Sequence, residues 1–219
     1  MERWRKVARG AGLLAHGLAG NGTLGGRINA GLSGLGLLGE ALKAGPKELS
    51  ARVIEVGSIA DRCKIIAANI RAGSRFPPIV SLARQLVSRR CGDTWCIAPR
   101  DEVAMVETIH AAMPELVRWV KDPVGVDYYA HPRHTLRDGG GDCDEEVGVE
   151  GSLLGGVGIP CDLIAAQEVG AADFSHIWLI ALPDGAAEMH CDPTFEREPA
   201  GWSMPADRIV RSFRYRVWR

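Results

Sequence analysis

Apolar residues recur at helical spacing from about position 58 onward. Over Ser58–Ala72, Ile59, Cys63, Ile66, Ala67 and Ile70 form the stripe of an amphipathic helix. Gly73 stops it, and Pro77-Pro78 opens a second helix predicted over Ile79–Arg90, because the fixed φ of proline suits a first turn. Asp101–Val120 reads as a longer helix with Val103, Val106, Ile109, Met113, Leu116, Val117 and Val120 on one side. Pro114 is expected to kink or divide it. Residues 121–141 read as a loop ending in Gly139-Gly140-Gly141, and Cys143–Val157 as a helix stopped by Gly158 and Pro160. Short strand-like runs follow at Cys161–Gln167, His176–Leu182 and Glu188–Cys191, with the turn Pro183-Asp184-Gly185 predicting a hairpin between the last two. Ile209–Trp218 alternates apolar residues with arginine, as an exposed or edge strand does. Helices first and a sheet afterwards predict an α+β fold.

Before this pattern lies a different texture. Residues 10–45 hold 12 of the 27 glycines, with Leu and Ala between them. Each glycine costs a helix about 1 kcal/mol relative to alanine. Residues 1–50 therefore read as an arm, either flexible and extended or docked through its leucines on a partner subunit or a membrane surface. Residues 51–207 read as the folded domain and 208–219 as an Arg-rich strand or tail. No uncharged apolar run free of many glycines reaches the roughly 18 to 20 residues of a membrane span.

The 219 residues are 46% hydrophobic and 24% charged, with a net charge of −1. That composition excludes wholesale disorder, collagen and coiled coil. The near-zero balance hides a segregation. Residues 137–207 carry 15 acidic and 2 basic side chains, whereas residues 208–219 carry five arginines and no acid. An acidic block repels phosphate backbones, so nucleic acid is disfavoured as a substrate there. The C-terminal arginines read as a solvated edge or as a docking strip for an acidic partner or nucleic acid.

Six cysteines are present, and no secretory signal is evident, so reduced thiols are expected. Cys91 and Cys96 with His131 and His134 invite a zinc reading, but a C-x4-C pair with H-x2-H is a poor match to zinc spacing. Ordinary packing or surface cysteines fit better. No metal and no cofactor are expected.

Three strings carry chemistry together: GGDCDE at 140–145, FSHIW at 174–178 and HCDPT at 190–194. A cysteine nucleophile reacts as the thiolate, and a helix N-terminus lowers the thiol pKa. Cys143 follows three glycines and Asp142, a good N-cap, at the start of a predicted helix. A base must pair with the thiol, and a third group must orient the base. His176 begins one strand and Asp192 ends its hairpin neighbour, which brings a hydrogen bond within easy reach. His190, on the face of Asp192, is the rival base. Glu146 and Glu150 fall on the helix side of Cys143, where they either line the cleft or are buried at a cost, and their charge would raise the thiol pKa.

These residues resemble the transglutaminase-like superfamily of papain-type cysteine enzymes, most strongly its bacterial and phage-associated branch. The resemblance rests on GGGDCDE, GIP at Gly158–Pro160, FSHIW and CDPT, with WVKDPVGVDY at 119–128 and PIVSLAR from Pro78 as supporting stretches; it covers roughly residues 60–195. It implies a papain-like core in which N-terminal helices precede a nucleophile helix packed on a small antiparallel sheet. It makes Cys143 the nucleophile, His176 the general base and acid, and Asp192 the orienter. The implied activity is that of a peptidase, amidase or cross-linking acyl transferase working through a Cys thioester. The substrate would be protein or peptide, cell-wall peptide included. The Cys143 amide is the natural oxyanion donor, with Trp119, Tyr128 and His131 as candidates for a second. The phage-like character of the match implies synthesis in a bacterial cytoplasm and incorporation into a virion, where the arm would contact other subunits. The alternative is a structural component of a virion or tail that uses this fold with weak or no catalysis.

Overall fold

The computed structural model describes residues 56–91, 94–97, 101–123 and 126–218. The N-terminal arm and its proposed contacts fall outside them. Helix α1 (Ile59–Gly73) begins where the sequence predicts, with Ser58 as N-cap accepting the Asp61 N–H. Its stripe of Cys63, Ile66, Ala67 and Ile70 is buried. Helix α2 (Pro77–Val87) starts on the two prolines but ends three residues before the expected Arg90. The apolar stripe stops at Leu86 and Val87. Ser88 turns extended, and β1 (Ser88–Cys91) pairs antiparallel with β2 (Thr94–Ile97). Cys91 and Cys96 are joined as a disulfide across this hairpin. That corrects the expectation of reduced thiols for this pair and removes both sulfurs from the zinc reading. Cys63, Cys143, Cys161 and Cys191 are free.

Helix α3 (Glu102–Leu116), capped by Asp101, also ends four residues early. Pro114 gives the His110 carbonyl no N–H, and one turn later Val117 is extended. The chain then enters β3 (Arg118–Trp119), which runs parallel to β4 (Gly140–Gly141). The expected loop 121–141 contains helix α4 (Pro132–Asp138). Its punctuation was present in the sequence: His131 caps it, Pro132 opens it, and Gly139 ends it at φ 69°.

Helix α5 (Cys143–Gly156) is followed by β5 (Cys161–Glu168), β6 (His176–Ala181), β7 (Met189–Cys191), a short 3-10 turn and β8 (Ile209–Arg216). The four strands form one sheet in the order β7-β6-β5-β8, antiparallel throughout. One sheet face meets α5, which packs most extensively on α1 and also touches α2, α3 and α4. Ile70, Ile79, Leu82, Ile109, Leu153 and Leu179 sit in the resulting core. The other face carries a smaller cluster of Ile164, Ala166, Trp178 and Ile180. Strands β5 and β6 are therefore buried on both sides, which explains their nearly continuous apolar runs.

The fold is α+β, and the Arg-rich terminus is its edge strand. Arg214 holds Asp162 at 2.8 Å and Glu188 in a two-point pair, Arg208 meets Glu168 at 3.1 Å, and Arg211 meets Asp173 at 3.1 Å. These arginines answer acids of the preceding strands and turns, so part of the charge segregation is internal to the sheet. Among the described residues, no helix is long and apolar enough to cross a membrane.

Candidate active site

Cys143 is the first residue of α5. The Asp142 carboxylate accepts the Asp144 N–H at 3.0 Å, and the Glu145 carboxylate reaches back to the Asp142 N–H at 3.2 Å, a reciprocal capping box. Glu145 accepts the Ala130 N–H with its other oxygen, so it also ties the 126–130 segment to this helix end. Gly141 is required here, since a Cβ on it would lie 2.4 Å from that of Glu145. Asn69 fixes the same segment by donating to the carbonyls of Tyr129 and Ala130.

His176 and Asp192 meet as the strand pattern predicted. Register pairs Leu179 with Cys191, so the next residue, Asp192, reaches His176 on the diagonal. His176 Nε2 lies 2.7 Å from Asp192 Oδ2, and both side chains are buried. That engagement leaves Nδ1 for a second partner. Trp178 stacks on the imidazole at 5.8 Å, and Phe195 meets it edge-on at 5.7 Å, which fixes the ring plane. His190, the rival base, spends its Nδ1 on the Trp178 indole N–H at 2.9 Å.

Cys143 packs against the main core on the α5 side of the sheet. The Ile177 amide, next to His176, and the Asp192 charge are both close enough to act on its thiol. The electrostatics differ from the expectation. Burial, then the charges of Asp144 and Asp142, push the Cys143 thiol well above its ordinary value; the Ile177 N–H opposes them and Asp192 adds to them. Asp144 itself is raised to about 7 by burial, Asp142 and Asp127.

Glu146 and Glu150 are buried at 2% and 0% exposure. Thr194, in the loop just after Asp192, donates to Glu146 at 3.0 Å, and burial raises the Glu146 carboxyl to about 8. Glu146 thereby pins the segment that presents Asp192. Glu150 instead takes His110 Nδ1 at 2.9 Å. Sequence reasoning missed His110. It sits among apolar residues on α3, and its partner lies 40 positions away, so only a helical residue of the wrong polarity marked it. Of the candidates for a second oxyanion donor, Trp119 is exposed and paired by β3–β4 with Gly141, two residues before Cys143. Tyr128 is exposed, and His131 caps α4 with Nδ1 taken by the Arg133 N–H.

Fold and site together define an α+β protein with a cysteine at the first residue of α5 and a buried His176–Asp192 pair on the adjoining sheet. No protein-family model matches the chain, and no curated protein or solved structure does either.

Proposed function

We propose that this chain is a cysteine-dependent acyl-transfer enzyme of transglutaminase-like, papain-type design. The observation that carries the reading is the buried His176–Asp192 hydrogen bond of 2.7 Å, with Asp192 close enough to act on the thiol of Cys143 at the start of α5. Asp192 holds the imidazole by Nε2 and stabilises its cationic form. His176 takes the thiol proton on Nδ1, and the thiolate attacks an amide carbonyl carbon. The tetrahedral oxyanion is held by the Cys143 N–H at the positive end of α5. Collapse breaks the C–N bond, and His176 returns its proton to the departing amine. Water or a primary amine, deprotonated by His176, then attacks the thioester; the C–S bond breaks to release an acid or a new amide, and His176 returns the proton to the Cys143 sulfur. The carboxylates of Asp122, Asp127, Asp142 and Asp144 near this helix end favour ammonium-bearing protein or peptide substrates over phosphate backbones.

The test is turnover of a fluorogenic peptide amide and incorporation of a fluorescent primary amine into casein, in the parent and in Cys143→Ala. Loss of both in the variant is expected. Retention of either activity at the parent rate would sink the enzymatic reading.

One observation favours a second reading, an assembly component of a phage particle that uses this fold with little catalysis. The thiol is pushed up rather than down, so little thiolate is present near neutral pH. Incorporation of the Cys143→Ala chain into particles at parental levels, with no detectable turnover by the parent, would favour that reading.

A further inference from the structure

A second cluster of reactive side chains lies around Cys191, the residue before Asp192. His110 from α3, Glu150 from α5 and Cys191 from β7 are all buried, and their ligating atoms lie within 4.8 Å of one another. The proposed acyl transfer uses none of them.

The hydrogen-bond pattern of His110 sets the problem. Its Nε2 lies 3.2 Å from the Glu198 carbonyl oxygen, which can only accept, so Nε2 carries a hydrogen. Its Nδ1 faces the Glu150 carboxyl at 2.9 Å. Two lone pairs cannot face each other at that distance inside the protein. Either a proton shared between Nδ1 and the carboxyl or a metal ion must therefore bridge them. The other Glu150 oxygen is buried without a geometrically sound hydrogen-bond partner, although the side chain is 0% exposed. A half-satisfied buried carboxylate is costly, and a divalent ion bound to it would remove that cost.

From this geometry we infer that His110, Glu150 and Cys191 form a binding site for a borderline-soft divalent cation of the zinc type. The ligand set of one nitrogen, one oxygen and one sulfur suits such an ion. A tetrahedral centre with bonds of about 2.0–2.3 Å spaces its ligands roughly 3.3–3.8 Å apart, so shifts on the order of 1 Å assemble the site. The Nε2–H bond to the Glu198 carbonyl is the usual outer-shell anchor of a ligating imidazole. A cavity of about 400 Å³, lined by His110 together with Glu107, Pro193 and Glu198, offers an entry path.

The exchange balances in charge. Without metal, an imidazolium, a carboxylate and a thiol sum to zero. With metal, a neutral imidazole, a carboxylate, a thiolate and a doubly charged cation also sum to zero. One ion enters and two protons leave, and no net charge is added to the interior. Three protein ligands leave a fourth position for water. The site is adjacent to Asp192 through Cys191 but does not depend on Cys143 being a nucleophile.

Chelator-treated full-length protein is titrated with cobalt(II), followed by zinc competition. The expected result is saturation near one equivalent with a near-ultraviolet thiolate-to-cobalt band, displaced by zinc, with about two protons released per ion into weak buffer. The band should vanish in Cys191→Ser and persist in Cys143→Ala. Should Cys191→Ser fail to fold, judged by near-ultraviolet circular dichroism, His110→Gln replaces it and should lose the band likewise. Absence of a saturable band, or a band lost in Cys143→Ala and kept in the cluster variants, would overturn the assignment. The first outcome would leave a proton on Nδ1, and the second would place the ion between Asp142, Cys143 and Asp144.

Discussion

Helix α5 is crowded with ionisable groups in its first two turns and almost devoid of them in the rest. Cys143, Asp144, Glu145, Glu146 and Glu150 occupy the N-terminal part, each with a defined partner or field; Gly151, Ser152, Leu153, Leu154, Gly155 and Gly156 make up the remainder. By propensity alone both parts look poor, one for buried charge and one for glycine. The structure separates the two defects. A Cβ on Gly151 would meet Ile70 at 2.9 Å, and one on Gly155 would meet Trp218 at 2.7 Å and Ser74 at 2.9 Å. The glycines let α1 and the C-terminal tryptophan approach closely, and the N-terminal carboxyls hold the loops around Cys143. One end of the helix gathers titratable groups and the other sets distance.

Substitutions at the two ends should therefore separate activity from stability. The largest effect is expected at the N-terminal end. Cys143→Ala should lower turnover on the order of 10⁶-fold while the thermal midpoint moves by only a few degrees, roughly 1 kcal/mol. Peptide-amide kinetics and calorimetry on the same samples check both. A comparable loss of stability would show that the sulfur is chiefly a packing group.

Next in size is Gly155→Ala. Helix propensity alone favours alanine by about 1 kcal/mol. The contact with Trp218 reverses the sign, and a loss of about 1–3 kcal/mol is expected. Gly148→Ala is the control, because its Cβ would meet only Pro132 at 3.9 Å. That variant should gain up to about 1 kcal/mol. Urea unfolding of both, with Cys143 alkylation rates as a check on the site, tests whether glycine here serves approach or is merely tolerated. Equal effects at 148 and 155 would erase the distinction.

The pH dependence of stability follows from the polar end. Burial, the leading cause in each case, raises Glu145 and Glu146 to about 8 and Asp144 to about 7. These carboxyls keep their protons in the folded chain to a higher pH than in the unfolded chain. Folding therefore binds protons between the ordinary carboxylate range and about pH 8, and stability falls as pH rises through that window. Glu146→Gln should flatten part of the slope, raising the melting temperature at pH 9 relative to the parent and hardly at pH 5. A parallel displacement of both curves would mean that Glu146 is ionised throughout.

Much of this was legible in the sequence wherever a period or a short hairpin carried it. The spacing of Ile59, Cys63, Ile66 and Ile70 gave α1, and the turn at 183–185 placed Asp192 within reach of His176. Where local pattern ended, expectation failed. Nothing near Val87 says that the helix yields to a disulfide-closed hairpin. The pairing of His110 with Glu150 is a tertiary fact between separate helices. Glu146 and Glu150 were expected either to line the cleft or to be buried at a cost, and they are buried. Their partners, Thr194 and His110, lie on other elements, and Asp144 and Asp142 are the charges that most raise Cys143. The helix dipole was visible in one dimension, whereas the desolvation opposing it required the fold.

The smallest effect expected is also the most local. Asp144 lies beside the sulfur, with its Oδ1 3.8 Å from Sγ, and after burial it is the largest cause raising the thiol. Its own carboxyl titrates near 7, so around neutral pH it is partly charged. Asp144→Asn removes that charge and keeps the shape and the backbone N–H that Asp142 caps. The thiol should then ionise at lower pH, and iodoacetamide should alkylate Cys143 a few-fold faster above pH 7. Below about pH 6 the parent carboxyl is already protonated, and the two rates should converge. A rate difference constant across pH would assign the effect to access rather than charge, and no difference at any pH would leave desolvation as the sole brake on thiolate formation.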